Sequence, residues 1–110
     1  MSYKESGLKP CINPLNCVFF QKEFEDVDKT FDQLVTIAQK IPRTKVLESS
    51  DIYWKGVCRS FIFRFPDDLE ILKLGKKIQI KSASRYGGSD FGVNGTRVGR
   101  LLTDLEKLNI

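Results

Sequence analysis

Apolar positions in this chain first follow the period of an α-helix. Between Asp28 and Pro42 they recur three and four residues apart, which is the spacing of one helical face. We predict that the side chain of Asp28 caps the first free amides of this helix, and that Pro42 ends it because the residue before a proline avoids the α region. The apolar face consists of Phe31, Leu34, Val35, Ala38 and Ile41.

The period changes to two in the middle of the chain, as expected for β-strands. In the last of these strands Ile78 and Ile80 alternate with polar residues, which is typical of a sheet with one face toward solvent. Residues 66–68 should interrupt the strands with a turn, and Gly75 should form a hairpin. The predicted strands cover residues 44–47, 52–63, 69–74 and 76–82, of which the second is the longest.

A second helical pattern begins near Asn94 and keeps the three- and four-residue spacing. Residues 1–27 contain two prolines and predict an irregular arm, with residues 18–20 as a short extended segment. One helix before the strands and one after them predict a single two-layer α+β domain, residues 28–110, with an antiparallel sheet of about four strands. The second apolar face consists of Val98, Leu101, Leu102, Leu105 and Leu108.

Composition and charge narrow the class of protein without naming an activity. Apolar residues make up 41% of the chain and charged residues 29%, the balance of an ordinary globular domain. The net charge of +4 permits an anionic small molecule or an acidic protein surface as partner, but the chain lacks the dense basic patches of nucleic-acid-binding proteins. No apolar run reaches transmembrane length and the first ten residues lack a signal-peptide pattern, so we expect a cytoplasmic protein.

The chain contains no histidine, which removes the most common routes to catalysis. Ser-His-Asp and Cys-His nucleophiles, the usual general base and histidine-based zinc sites are all excluded, so we favour a protein that is not an enzyme. Cys11 and Cys17 would need two further ligands to hold a metal, and Cys58 supplies only one. We therefore predict no metal site and no cofactor, and reduced thiols in a cytoplasmic protein.

Residues 81–97 join the last predicted strand to the second helix and form the best candidate for a ligand site. Their glycines allow backbone amides to converge, and a helix N-terminus adds about half a positive charge, which suits an anion. Arginines can then bind that anion bidentately. The candidate binding residues are Ser84, Arg85, Gly88, Ser89, Asp90, Asn94 and Arg97, supported by Asp67, Asp68 and Lys81.

Arg97 is the least expected residue of this segment. If Asn94 caps the second helix, Arg97 occupies its third position, where a cation opposes the helix dipole and needs compensation. A bound phosphate or carboxylate would compensate it, and so would an internal salt bridge to Asp67 or Asp90. Asp67 and Asp68 do not form a catalytic dyad by themselves, because neighbours in an extended chain point to opposite faces. Both nucleotide-binding fingerprints are absent.

Short motifs occur in a fixed order along essentially the whole chain. They are Pro10-Cys11, Asn16-Cys17-Val18, Pro42-Arg43-Thr44, Phe63-Arg64-Phe65, Asp67-Asp68, Ser82-Ala83-Ser84-Arg85, Gly88-Ser89-Asp90, Gly92-Val93-Asn94 and Arg97. In this order they resemble the bacterial and plastid family named domain of unknown function 1499. The resemblance implies one small domain without an established activity. Many relatives carry export signals or lipoprotein leaders, and in those the resemblance allows a local disulfide.

This chain departs from the family pattern at three places. It has Phe19-Phe20 where the family tends to have two serines, and Lys81 where the family usually has arginine. Pro66 stands beside the two neighbouring aspartates. A family site that used those serines or that arginine would be altered here.

Three hypotheses follow for the function. The leading one is a non-enzymatic binding or accessory module whose strand-to-helix loop engages an anionic small molecule or an acidic partner surface. The second is a hydrolase-like enzyme that uses Asp67, Asp90 and the arginines with a divalent ion. In the third, residues 81–97 are purely structural and lock the last helix to the sheet.

Overall fold

The computed structural model describes residues 7–61 and 64–110, which form one antiparallel sheet with two helices on one face. The elements in chain order are β1 (Cys17–Glu23), α1 (Val27–Gln39), β2 (Thr44–Ser49), β3 (Tyr53–Arg59), β4 (Pro66–Leu74), β5 (Lys77–Ser84) and α2 (Val93–Leu108). Across the sheet the strands lie in the order β1-β5-β4-β3-β2. The predicted two-layer α+β architecture is confirmed, with five strands in place of about four.

The additional strand, β1, lies in the arm for which the sequence predicts irregular structure. Val18 and Phe20 of this strand pack against the core, and Phe20 lies opposite Ile80 of β5. The partner strand, β5, lies about 60 residues further along the chain. The local sequence therefore gives no sign of this pairing, and the short apolar run of β1 predicts only an isolated extended segment. Residues 1–6 of the predicted arm lie outside the described residues.

The boundaries of the middle strands also differ from the prediction. β4 begins at Pro66 and is the longest strand, and Asp67 and Asp68 both pair with β3, so the predicted turn at these residues is wrong. Proline is tolerated as the first residue of a strand because the missing N–H costs no internal ladder bond there. β3 ends at Arg59, and residues 62–63 of the predicted longer strand lie outside the described residues.

The first helix is capped by a different aspartate from the one predicted. The side chain of Asp26 accepts the backbone N–H of Lys29 at 3.2 Å, which is the geometry of an N-cap. Asp28 instead pairs with Lys73 of β4, with 2.6 Å between Oδ1 and Nζ. The helix ends shortly before Pro42, as predicted. Neither helix in the described ranges is long and apolar enough to span a membrane.

The core lies between the helices and one face of the sheet. Trp54 and Ile80 are fully buried there. On the opposite face, Leu8 from the arm packs against Tyr53 and Leu72 in a smaller cluster. The arm therefore covers part of the face that the alternating pattern predicts to be exposed.

A disulfide between Cys11 and Cys17 closes the arm onto the start of β1. A turn brings the two cysteines together, since the backbone N–H of Asn16 donates to the carbonyl oxygen of Asn13 at 3.2 Å. The prediction of reduced thiols is wrong for this pair. Cys58 is free and buried, and burial raises the pKa of its thiol.

Gly56 should be the least replaceable glycine of the sheet. A Cβ at this position would lie 2.5 Å from Cη2 of the buried Trp54 and 3.2 Å from Cγ2 of Thr44. We expect Gly56→Ala to lower the free energy of unfolding by about 1–3 kcal/mol through overpacking. Gly99→Ala is the matched control: it lies in α2 with no atom within 4 Å of the added Cβ, and should stabilise by about 0.5–1 kcal/mol. Equal effects in urea titrations would contradict this account.

Candidate functional site

The candidate site lies where β4 begins, β5 ends and α2 starts. Because Asp67 of β4 pairs with Ser84 of β5, the alternation of the strands directs Asp67, Ser82 and Ser84 toward the helices. Residues 85–92 then connect β5 to Val93, the first residue of α2. This connection brings polar side chains of both strands under the first turns of the helix.

Four of these residues form a buried polar cluster, which consists of Asp67, Ser82, Asn94 and Arg97. Nη1 of Arg97 lies 2.9 Å from Oδ2 of Asp67, 2.9 Å from Oδ1 of Asn94 and 3.1 Å from Oγ of Ser82. Oγ of Ser82 also donates to Oδ1 of Asn94 at 2.6 Å. The Asp67 residue is 4% exposed and the Arg97 side chain 11%, so the ion pair is largely removed from water.

Asn94 connects this cluster to the arm and to the loop. Its Nδ2 lies 3.2 Å from the carbonyl oxygen of Asn16, 3.1 Å from Oγ of Ser84 and 2.6 Å from Oδ2 of Asp90. The amide of Asn16 in turn donates to the carbonyl oxygen of Gly88 at 2.9 Å. One fully buried amide therefore connects the distant arm to the end of β5 and to the loop before α2.

Asp90 lies two residues before Gly92, the N-cap residue of α2, and its side chain binds the free backbone amides at the start of this helix. Its carboxylate accepts the backbone N–H of Gly92 at 2.8 Å and that of Asn94 at 3.0 Å. Burial alone would raise the pKa of Asp90, but the hydrogen bonds from Asn94 and the backbone amides outweigh it and lower the pKa. Asp90 thus occupies the place at the helix N-terminus where the sequence predicts an external anion.

The helix therefore begins earlier than predicted. Its N-cap is Gly92, in a left-handed conformation with φ of 83°, so Asn94 is not the cap and Arg97 lies beyond the third position. The internal partner of Arg97 is Asp67, one of the two predicted aspartates, while Asp90 binds the helix amides.

The second arginine of the segment lies in a separate, exposed ion pair. Arg85 binds Asp68 through Nε and Nη2, with distances of 3.0–3.2 Å. The hydrogen bond and the negative charge of Asp68 raise the pKa of Arg85. Strand alternation directs Asp68 and Lys81 to the face opposite the buried polar cluster. Ser89 accepts the backbone N–H of Phe91 at 3.2 Å, which is a contact within the loop.

The candidate residues thus fall into two groups. Asp67, Ser84, Asp90, Asn94 and Arg97 converge, and Gly88 joins them through its carbonyl oxygen. The other four do not enter the buried polar cluster: Asp68, Lys81, Arg85 and Ser89.

Asn16 and Ser82 are not among the site residues predicted from the sequence. Ser82 had a signal, because it continues the core-facing alternation of Ile78 and Ile80 with a polar side chain. Asn16 is marked only by its place in the motif Asn16-Cys17-Val18, which does not indicate a role in a site.

A groove of about 600 Å³ lies beside the buried polar cluster, between the end of α1 and the first turns of α2. We call it the cationic groove, because Lys40, Arg43, Arg97 and Arg100 line it with Asp104 as the one carboxylate among its lining residues. The Nε of Arg43 donates to the carbonyl oxygen of Arg59 at 3.1 Å, which orients this side chain. Lys40, Arg43 and Arg100 are not among the site residues predicted from the sequence, although Arg100 follows Arg97 at helical spacing.

A second cavity of about 420 Å³ opens between Ser60 and residues 65–67 on one side and residues 84–93 on the other. We call it the aromatic cleft, after its walls of Phe65, Pro66, Tyr86, Phe91 and Val93. Phe91 is 95% exposed and Tyr86 66%, so these rings face solvent rather than the core.

Metal ligands do not cluster in the part of the chain that the structure describes. Across residues 7–61 and 64–110, no group of three or more histidine, cysteine, aspartate or glutamate residues is placed to hold a metal ion.

The motifs along the sequence meet in space at this site. Asn16, Asp67, Ser82, Asn94 and Arg97 each belong to one of them and are joined in one hydrogen-bonded network. No curated protein matches the chain in sequence. The family described as Protein of unknown function (DUF1499) has a model that matches residues 7–105, and the chain belongs to this family.

Proposed function

We propose that the protein is a non-enzymatic binding or accessory module that holds the acidic group of a small molecule or of a partner protein in the cationic groove. The strand-to-helix segment supplies Arg97 to this site, and the end of α1 supplies Lys40 and Arg43. The ligand chemistry is the one predicted from the sequence, but the ligand contacts the cationic groove rather than the backbone amides of the loop.

The two sides of the Arg97 guanidinium carry this proposal. Nη1 is bound within the buried polar cluster, which fixes the orientation of the whole planar group. In the described part of the chain, Nε and Nη2 have no hydrogen-bond partner, and neither is fully buried, so both reach solvent. A preoriented arginine with two free donors matches the geometry of a carboxylate, sulfate or phosphate.

The charge of the groove also favours an anion. Four cationic side chains and one carboxylate line the groove, and Asp67 outside this lining pairs with Arg97. Neither Lys40 nor Arg100 forms an ion pair among residues 7–61 and 64–110. Like charges that converge in a concave surface raise the local concentration of counter-ions. An acidic ligand would relieve the repulsion among these cations.

The carboxylates favour binding over the hydrolase-like alternative. Asp67 is held in an ion pair with Arg97, and both oxygens of Asp90 accept amide hydrogens at the start of α2. A general acid or base must be able to exchange a proton with its substrate, and these two groups are engaged in holding the fold. The thiol of Cys58 is buried, with a raised pKa that disfavours the thiolate.

Sulfate should stabilise the protein against heat through this groove. At about ten times the dissociation constant we expect sulfate to raise the melting temperature by about 5 °C over sodium chloride of equal ionic strength. The double variant Lys40→Gln/Arg100→Gln should lose most of this response, because it removes two of the four cationic side chains of the groove and leaves Arg97 and the buried polar cluster intact. Differential scanning fluorimetry with phosphate as a second anion measures the effect.

Lys76→Gln is the matched control for the loss of charge. Lys76 is exposed in the hairpin between β4 and β5, at the opposite end of these strands from the groove. This variant should keep the full response to sulfate. The proposal fails if chloride stabilises the wild-type protein as well as sulfate does, or if the double variant responds like the wild type.

A further inference from the structure

The aromatic cleft and the cationic groove lie next to each other, beside Val93 and the Asp67–Arg97 ion pair. Val93 lines both cavities. Asp67 lines the cleft, and its carboxylate lies 2.9 Å from Nη1 of Arg97, which lines the groove. This ion pair and Val93 at the start of α2 therefore lie beside both cavities.

The cleft offers apolar contact because its polar side chains have partners within the protein. Asp67 binds Arg97, Ser84 accepts from Asn94, and the oxygens of Asp90 bind the start of α2. The hydroxyls of Ser60 and Ser89 accept the backbone N–H groups of Phe65 and Phe91. The other side chains of the lining are apolar or aromatic. A volume of about 420 Å³ lies within the range of small-molecule sites.

The backbone at the edges of the two cavities is held in an unfavourable conformation. Three non-glycine residues of the described part have positive φ: Arg43 at 59°, Arg64 at 60° and Phe91 at 54°. Arg43 lines the groove, Phe91 lines the cleft, and Arg64 precedes Phe65 of the cleft. Such conformations cost about 1–3 kcal/mol each and cluster at ligand sites, and here the strained Phe91 presents its ring almost entirely to solvent.

We propose that the ligand is a small amphipathic anion, with its acidic group in the cationic groove and an aromatic ring system in the aromatic cleft. This inference rests on the proposed function and adds the chemical class of the ligand. Charge complementarity selects the acid, and the flat faces of Tyr86 and Phe91 select a planar body that stacks on them. Neither part alone fills both cavities, so a ligand that carries both parts binds more tightly than either.

Three matched probes separate the two contributions in isothermal titration calorimetry. Naphthalene-2-sulfonate carries the acid and the rings, methanesulfonate carries the acid alone, and 2-naphthol carries the rings without the acid. We expect naphthalene-2-sulfonate to bind at least tenfold more tightly than either of the others. Equal affinity for naphthalene-2-sulfonate and either of the simpler probes overturns the inference.

Variants of the two cavities show how much each cavity contributes to the affinity for naphthalene-2-sulfonate. Tyr86→Ala/Phe91→Ala should reduce the affinity for naphthalene-2-sulfonate to that for methanesulfonate and leave the response to sulfate unchanged. Lys40→Gln/Arg100→Gln should weaken both sulfonates. Leu108→Ala, an exposed apolar residue at the far end of α2, is the control and should change neither. An unchanged affinity in the aromatic double variant overturns the inference.

The outcomes distinguish this inference from the proposed function. If sulfate fails to stabilise the wild-type protein, both fail. If sulfate stabilises it but the naphthyl group adds no affinity, only the amphipathic ligand is excluded and the anion site stands.

Discussion

Asp67→Ala should lower the free energy of unfolding by about 3 kcal/mol, because it leaves Nη1 of Arg97 without a counter-charge inside the buried polar cluster. The 2.9 Å ion pair is largely excluded from water. A loss of this size removes much of the stability of an ordinary domain of this length. Urea titration followed by circular dichroism measures it.

Asp68→Ala is a control one residue away in the sequence. Asp68 pairs with the exposed Arg85, so water can replace the lost partner and the urea midpoint should hardly move. The double variant Asp67→Leu/Arg97→Met should recover a large part of the loss, because removing both charges leaves none buried alone. Similar midpoints for Asp67→Ala and Asp68→Ala would refute the distinction between the two pairs.

Asn94→Ala should destabilise the protein by about 3 kcal/mol, because it leaves several buried groups without partners. Asn94 is fully buried, and its amide binds the arm, the loop, Ser82 and Arg97. The connection of the arm to the loop should also loosen. We expect faster hydrogen exchange at the amides of Ser84 and Asp90, which donate to the carbonyl oxygens of Asn16 and Leu15.

Asn109 provides the matched control for this amide. Its side chain also donates two hydrogen bonds, to Gln33 at 3.0 Å and to the carbonyl oxygen of Leu105 at 2.8 Å, but the residue is exposed. Asn109→Ala should cost less than about 1 kcal/mol, since water can replace these contacts. If it destabilises as much as Asn94→Ala, or if exchange at Ser84 and Asp90 stays slow in Asn94→Ala, the central role of Asn94 is wrong.

The helices and most strands could be predicted because their signals are local. The spacing of apolar residues identified both helices and the alternation around Ile78 and Ile80 identified β5. The N-cap of α1 was harder to predict, because Asp26 and Asp28 lie two positions apart and either side chain can cap a helix. The pairing of Pro66 and its neighbours with β3 overrode a local preference for a turn.

The segment that supplies Asn94 and Arg97 to the buried polar cluster could be singled out from the sequence, whereas the partners of these two residues could not. Glycine and polar residues concentrate in residues 81–97, which marks the segment in the sequence itself. Asp67 reaches Arg97 from another strand, and Asn16 reaches Asn94 from the arm, so only the folded chain shows either contact. The cationic groove likewise forms only where the end of α1 meets α2.

The position of β1 in the sheet has a consequence for how the chain is made. Phe20 pairs with Ile80, 60 residues further along the chain. At ribosomal rates of about 5–20 residues per second, β1 waits about 3–12 s for the strand that covers its hydrogen-bonding edge. During synthesis the apolar run Cys17-Val18-Phe19-Phe20 therefore lacks its partner strand, and this side of the sheet can form only after Ser84 at the end of β5 has been made.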